Sequence, residues 1–254
     1  MTMEQILSYI PLDISLIAAN FDRFLYGVWT TLNLTFIALF IGALLAIPMA
    51  IARASRHRFW NPIVWGYTYV FRGTPLLVQT YLIYYGFGQF EFIRHSWLWE
   101  PVLSSAWWCA LIAFTLNTAA YSTELLRGAI IDTPKGEVEA AIATGHSYKA
   151  RLRRIILPSA FRRAIPAYSN EVIFMLHGSV VASTITLQDI LGVGRWLNGR
   201  YYLAYEGFIT AALLYFLIVL CIASVFRWLE RRYLRHLTRR ETPATAEITP
   251  EPTR

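Results

Sequence analysis

Residues 136–158 read GEVEAAIATGHSYKARLRRIILP, a polar and basic stretch set between strongly apolar segments. Pro134 and Gly136 mark a turn just ahead of it. Glu137, Glu139, Ala140, Ala141, Ile142 and Ala143 are good helix formers, with acids near the start where the helix dipole favours them. Gly145 interrupts that helix. A second, basic helix is expected over Tyr148–Ile156, stopping before Pro158, which lacks the N–H that a regular helix needs. The expected product is a short exposed helical hairpin, the one place where an otherwise apolar chain offers a handle to something soluble.

The flanking segments decide what the hairpin projects from. With 56% hydrophobic, 15% aromatic and only 15% charged residues in 254, the composition is that of a polytopic membrane protein with a single integral domain. The net charge of +7 would suit nucleic acid if it formed one patch, but its distribution is different. Three basic residues lie in Arg53–Arg58, seven in Lys135–Arg163 and seven from Arg227 onward, whereas Arg23, Arg94, Arg195 and Arg200 occupy the alternate loops. If five spans separate these loops, the first three groups share one side of the bilayer. The positive-inside rule then places the N-terminus outside and the C-terminus in the cytoplasm. The basicity is topological, and nucleic acid is not an expected partner.

Five apolar segments follow in order. The first, about 27–52, ends in Arg53, Arg56 and Arg58; its Gly42, Ala46 and Ala50 recur every four residues, which lets another helix approach closely, and Pro48 is a candidate kink. The second, about 60–90, is interrupted by Phe71-Arg72-Gly73-Thr74-Pro75. A break of that kind is tolerated in a membrane only where protein or water satisfies the freed backbone; it reads as a bend or interface where Arg72 snorkels, or else as a helix start. The third is about 106–130, the fourth about 167–187 and the fifth about 207–226. Residues 188–205, with Gly192, Gly194 and Gly199, are expected as an outward-facing loop. Residues 1–20 show no basic start, apolar core and small-residue cleavage site, so they read as an amphipathic leader on the outer surface rather than a signal peptide. Residues 236–254, rich in Thr, Pro and Glu, read as a disordered tail. Cys109 and Cys221 both fall in apolar segments and read as small core residues.

Two polar clusters inside the spans are candidate functional residues. In the third span Asn117, Tyr121 and Glu124 fall at i, i+4 and i+7 and form a stripe on one helical face. Glu124 reaches Arg127 one turn on, as a structural ion pair, while Asn117 and Tyr121 are candidates to line a translocation path. In the fourth span Glu171 lies about one turn inside an apolar helix, where a carboxylate at the centre costs about 2.5 to 3.5 kcal/mol. It needs a partner. That partner is Asn117, Tyr121 or an Arg in a purely structural reading, and a cationic substrate in a functional one. Met175, Gly178 and Ala182 share its face, with Ser179 and Thr186 at the edge; Asn170, His177 and Thr184 share a neighbouring face.

Covalent chemistry finds little footing. His177 and Ser179 are separated by roughly 200° around a helix, so an intramembrane hydrolase would need Ser179 or Ser183 to meet a His from elsewhere. The chain has no GxxxxGK[ST] phosphate loop and no carboxylate or His pair spaced for zinc. No catalytic residue, metal or cofactor is expected. A secondary carrier or channel using Glu171 remains as another reading, but it leaves the hairpin unexplained.

The spacing of Glu139-Ala140-Ala141, Gly145, Ile155, Leu157 and Pro158 resembles the EAA loop of ABC-importer permeases. Phe71–Leu76, Asn117–Glu124 and Pro166–Val172 resemble the polar amino-acid branch of that family, nearest to the M-type subunits of histidine/lysine/arginine/ornithine and octopine/nopaline systems. The likeness covers roughly residues 20–235. It implies an all-α integral membrane protein of five transmembrane helices, with the type I ABC importer fold, a periplasmic N-terminus and a cytoplasmic C-terminus. The domain would span 21–235, with the coupling loop at 132–165. It implies a multi-pass protein of the bacterial inner membrane, in contact with lipid, paired as a heterodimer with a Q-type permease subunit. An ATP-binding cassette ATPase dimer and a periplasmic substrate-binding protein complete the assembly. Glu139, Ala140, Ala141, Gly145 and Pro158 would couple to the ATPase, which alone hydrolyses ATP. Alternating access would import basic amino acids (arginine, histidine, lysine, ornithine) or opines through a site made of Glu171, Asn170, Gly178, Ser179, Asn117 and Tyr121. Other polar amino acids such as glutamine or glutamate are the alternative cargo.

Overall fold

A computed structural model describes residues 14–55 and 58–233, and among them the chain is helical with no strand. In order, the α-helices are α1 (Ile14–Ala19), α2 (Phe21–Ala54), α3 (Trp60–Gly73), α4 (Leu76–Tyr81), α5 (Glu91–Arg94), α6 (Ala106–Ile131), α7 (Lys135–Ala143), α8 (Tyr148–Arg151), α9 (Leu157–Gly178), α10 (Ile190–Tyr201) and α11 (Ala204–Tyr233). Residues 1–13 of the expected leader, Arg56 of the first basic cluster and the whole expected tail at 236–254 lie outside the described residues.

The bundle is built on α2 and α6, which share its most extensive contact. Small residues make that approach possible. Ala38, Ala46 and Ala50 of α2 are fully buried, and a Cβ on Gly42 would overlap the Thr118 methyl and sit 3.2 Å from the Ala119 amide of α6. Where lipid and side chain are equally apolar, close backbone packing of this kind drives helix association. α6 is the hub, touched by α2, α3, α4 and α9. That explains its composition. Sheathed by protein rather than lipid, it carries buried Thr115, Asn117, Thr118, Ser122 and Thr123. Among the described residues, the helices long and apolar enough to cross a membrane are α2 and α11, with a third span if the bent pair 148–185 and 190–201 counts as one.

Three expectations need correction. The hairpin's second helix does not stop before Pro158. α8 runs through a π turn at Leu152–Ile156 into α9, and a 3-10 segment at Ser179–Ile185 carries it further. A proline ring collides with the carbonyl four residues back; the wider π turn immediately before Pro158 accommodates it, so the helix continues. The expected loop at 188–205 contains α10. Asp189 caps it, accepting from the Gly192 amide at 2.8 Å, and Ile190, Val193 and Leu197 are buried on one face. Cys109 is buried as expected, but Cys221 is exposed on α11.

The interruption in the second segment is a true break between two helices. Thr74 and Pro75 are extended, with φ/ψ of −115/142° and −64/138°. α4 leaves Pro75 and passes into a π turn at Leu82–Gly86. The first half of the hairpin ends as expected at Gly145, whose φ is +74°. The amides of Gly145 and His146 donate to the carbonyls of Ile142 at 2.9 Å and Ala141 at 3.0 Å, the paired bonds of a Schellman ending. Ser147 then caps α8, accepting from Ala150 at 3.4 Å.

Candidate functional site: a charged cavity at the helix break

The break between α3 and α4 leaves backbone groups that a membrane cannot solvate. Side chains satisfy them. Gln79, buried one turn into α4, donates to the carbonyls of Phe71 at 2.8 Å and Thr74 at 3.0 Å. Asn117 of α6 donates to the Gln79 side-chain oxygen at 3.0 Å and to Phe71 O at 3.4 Å. The Tyr121 hydroxyl donates to Arg72 O at 3.4 Å. The stripe Asn117–Tyr121 thus holds the break open as a defined turn.

Beside that turn lies an open cavity of about 580 Å³, between the break, α6 and α9. Glu171, Gly178, Asn117 and Tyr121 line it. Glu171 is 7% exposed, and its partner is neither Asn117 nor Tyr121. Thr118 donates to its Oε1 at 2.7 Å. Met175 and Phe174 continue the α9 wall, and Arg72 lines the opposite side with its guanidinium 5.3 Å from the Tyr121 ring centre. The cavity therefore carries one carboxylate and one guanidinium, both able to make charge-assisted hydrogen bonds to an incoming polar molecule.

Two residues expected at this site lie elsewhere. Ser179 is fully buried and donates to Leu176 O at 2.7 Å; Asn170 is exposed on another face of α9, with His177. The shared face through Met175 and Gly178 is as the helical period requires, but it ends there, because Ala182 belongs to the tighter 3-10 segment and is buried in the core. Thr118 and Gln79 escaped sequence reasoning. The need of Glu171 for a donor was the available signal, and the neighbouring Asn117 drew it away. Among the described residues no group of three or more metal-ligating side chains occurs.

The second feature is the hairpin. Glu139, Ala140, Ile142 and Tyr148 are exposed, whereas Ala141 is buried. Glu137 accepts from Ser159 at 3.0 Å; Arg163 donates to Ser159 at 2.6 Å, Thr133 at 2.8 Å and Ala129 O at 2.9 Å. This chain of bonds fixes α7 to α9 and to the end of α6. Pro158 sits in the second position of α9 and is half-buried. At the same end, Glu124 bonds Arg127 at 3.1 Å as the spacing predicts, and also Arg53 of α2 at 3.0 Å and Thr68 of α3 at 3.1 Å.

Comparison with known proteins bears on what a buried charged cavity and an exposed hairpin do together. The chain is 44% identical over 212 residues to the histidine/lysine/arginine/ornithine transport system permease protein HisM of Salmonella typhimurium, covering 84% of this chain and 90% of that one. It is 40% identical over 220 residues to the octopine transport system permease protein OccM of Rhizobium radiobacter, covering 87% and 89%. The nopaline permease protein NocM of Agrobacterium fabrum is 38% identical over 240 residues, covering 93% and 99%. The crystal structure of an amino acid ABC transporter with histidines superposes with a TM-score of 0.78 at 30% identity, covering 88% of this chain and all of that one. The inward-facing MetNI methionine ABC transporter shares the fold, with a TM-score of 0.66 at 18% identity. The sequence pattern of the binding-protein-dependent transport system inner membrane component matches residues 38–235, and this chain, a transport permease and not an enzyme, belongs to that family.

Proposed function

We propose that the chain is the M-type permease subunit of an ATP-driven importer for basic amino acids or opines, and that the cavity at Glu171 receives the substrate. A buried carboxylate facing a 580 Å³ cavity carries this reading. A guanidinium or ammonium supplies the donors that Glu171 accepts, and Arg72 across the cavity suits the substrate's own carboxylate. Asn117, Tyr121 and Gly178 shape the walls. Asn170 and Ser179 contribute, on this reading, only through the position of α9. The substrates named for the relatives, histidine, lysine, arginine, ornithine, octopine and nopaline, support the same class.

The finer architecture follows the same reading. Five spans cross the inner membrane, N-terminus out and C-terminus in, with 1–20 as leader, 21–235 as the permease domain and 236–254 as tail. The hairpin within 132–165 docks, through the exposed Glu139, Ala140 and Gly145 with Ala141 packed beneath them, on an ATP-binding cassette dimer. A Q-type subunit pairs with this one and a periplasmic binding protein delivers substrate. ATP binds the two states of the assembly with different affinity, which is what shifts the cavity from one side to the other.

The test is substrate-stimulated ATPase activity of the reconstituted complex, comparing wild type, Glu171→Gln and Glu139→Ala with arginine, histidine, octopine and glutamine. Basic substrates should stimulate wild type, Glu171→Gln should lose that selectivity, and Glu139→Ala should separate ATP turnover from uptake. Equal stimulation by glutamine would overturn the basic-substrate assignment. A Glu171→Gln variant with wild-type selectivity would make the acid structural.

A further inference from the structure

A second groove, of about 420 Å³, lies at the hairpin end of the bundle and shares no lining residue with the Glu171 cavity. We propose that it binds an anionic phospholipid of the surrounding bilayer, with an acyl chain in the groove and the headgroup phosphate on Arg162.

The walls come from four helices: Ala43 and Ile47 of α2, Leu126 of α6, Ile165 of α9, and Phe226 and Leu229 of α11. They are almost entirely hydrocarbon. Tyr168 also lines the groove, but its hydroxyl donates to Leu39 O at 3.3 Å, so it presents its ring. The volume falls within the range of about 300–1,000 Å³ typical of small-molecule pockets. An apolar slot open to a bilayer takes up hydrocarbon, and an acyl chain is the hydrocarbon at hand.

The headgroup assignment rests on charge. Arg162 stands at the groove and is exposed, and among the described residues its guanidinium has no ion pair, unlike Arg163 beside it, which makes three hydrogen bonds. No carboxylate lines the groove among the described residues. Tyr233 closes the rim; the neighbouring Glu230, Arg231 and Arg232 of the last turn of α11 are not among the lining residues, so the headgroup charge at the groove is that of Arg162. A planar guanidinium matches a phosphate bidentately, and basic pockets between transmembrane helices recognise anionic headgroups. A zwitterionic choline lipid offers the same phosphate with a cation attached, which this rim repels.

Native mass spectrometry of the full transport complex, equilibrated with equal amounts of phosphatidylglycerol and phosphatidylcholine, reads the preference directly. Wild type is expected to retain phosphatidylglycerol several-fold over phosphatidylcholine. Arg162→Gln should bring that ratio to about one with the complex intact. Ala43→Trp, or Leu229→Trp at the rim should the first fail to assemble, should lower retention of both lipids by filling the slot. The proposal falls if wild type shows no preference, if Arg162→Gln keeps the wild-type ratio, or if both tryptophan variants assemble and bind lipid as wild type does. Loss of the ATPase subunit from Arg162→Gln at an unchanged lipid ratio would overturn it in favour of a protein contact.

Discussion

Thr118 on α6 donates a 2.7 Å hydrogen bond to Oε1 of Glu171 on α9, joining two helices at the wall of the cavity. A hydrogen bond to a charged group contributes about 1.5–3 kcal/mol, and 1.4 kcal/mol is tenfold in an equilibrium. Thr118→Val is therefore expected to raise the substrate concentration for half-maximal ATPase stimulation about tenfold or more. Thr118→Ser, which keeps the donor, should stay near wild type. Equal behaviour of the two variants would show that the hydroxyl does not orient the acid.

Arg163 connects the hairpin to the bundle through Ser159, Thr133 and Ala129 O. Removing it leaves the Ser159–Glu137 bond between α9 and α7 but cuts its connection to the end of α6. Arg163→Ala should retain ATP turnover while uptake per ATP in proteoliposomes falls several-fold. Arg163→Lys, a point charge without the planar fork, should fall between. Unchanged stoichiometry in Arg163→Ala would remove this network from the coupling route.

The ion pairs of Glu124 are unequal. Arg53 and Glu124 have side chains 15% and 14% exposed, whereas Arg127 is 32% exposed. Breaking a fully buried pair from one side costs about 3–5 kcal/mol and a fully exposed pair contributes about 0–1 kcal/mol; both pairs here are half-buried and fall between, with the Arg53 pair nearer the buried limit. Thermal unfolding of the purified complex should show a larger loss for Arg53→Ala, which also removes the donor to the Asn61 side-chain oxygen, than for Arg127→Ala. The reverse order would mean that α2 is not held to α6 by this contact.

At Gly42 any side chain meets the Thr118 methyl. Overpacking a close contact costs about 1–3 kcal/mol, and here it also displaces the donor to Glu171. Gly42→Val should lower both melting temperature and substrate stimulation, and the double variant Gly42→Ala/Thr118→Ser should recover stability relative to Gly42→Ala alone. Failure of that recovery would place the strain elsewhere.

Features encoded within a few residues were legible in the sequence. The Gly145 ending is a local backbone signature, and Glu124–Arg127 follows from i, i+3 spacing. Contacts between distant segments were not: Arg53 is 71 residues from Glu124, and Thr118 is 53 from Glu171. α10 was hidden because its glycines resemble those of a loop. A Cβ on Gly194 would lie 3.0 Å from the Gly207 carbonyl oxygen of α11, so the glycine marks a helix crossing. Pro158 misled for the complementary reason, since a π turn absorbs what a regular helix rejects.

The uninterrupted run from α8 through α9 gives the subunit a lever arm. Tyr148 belongs to the hairpin and Glu171 to the cavity, and at about 1.5 Å rise per residue the helical run between them is roughly 35 Å long. A tilt of about 5° over that length displaces the far end by about 3 Å, comparable to a hydrogen-bond distance. Torque applied at the hairpin would thus reach the Thr118–Glu171 contact as a change between bonded and unbonded, less whatever bending the π turn at Leu152–Ile156 and Pro166 take up on the way.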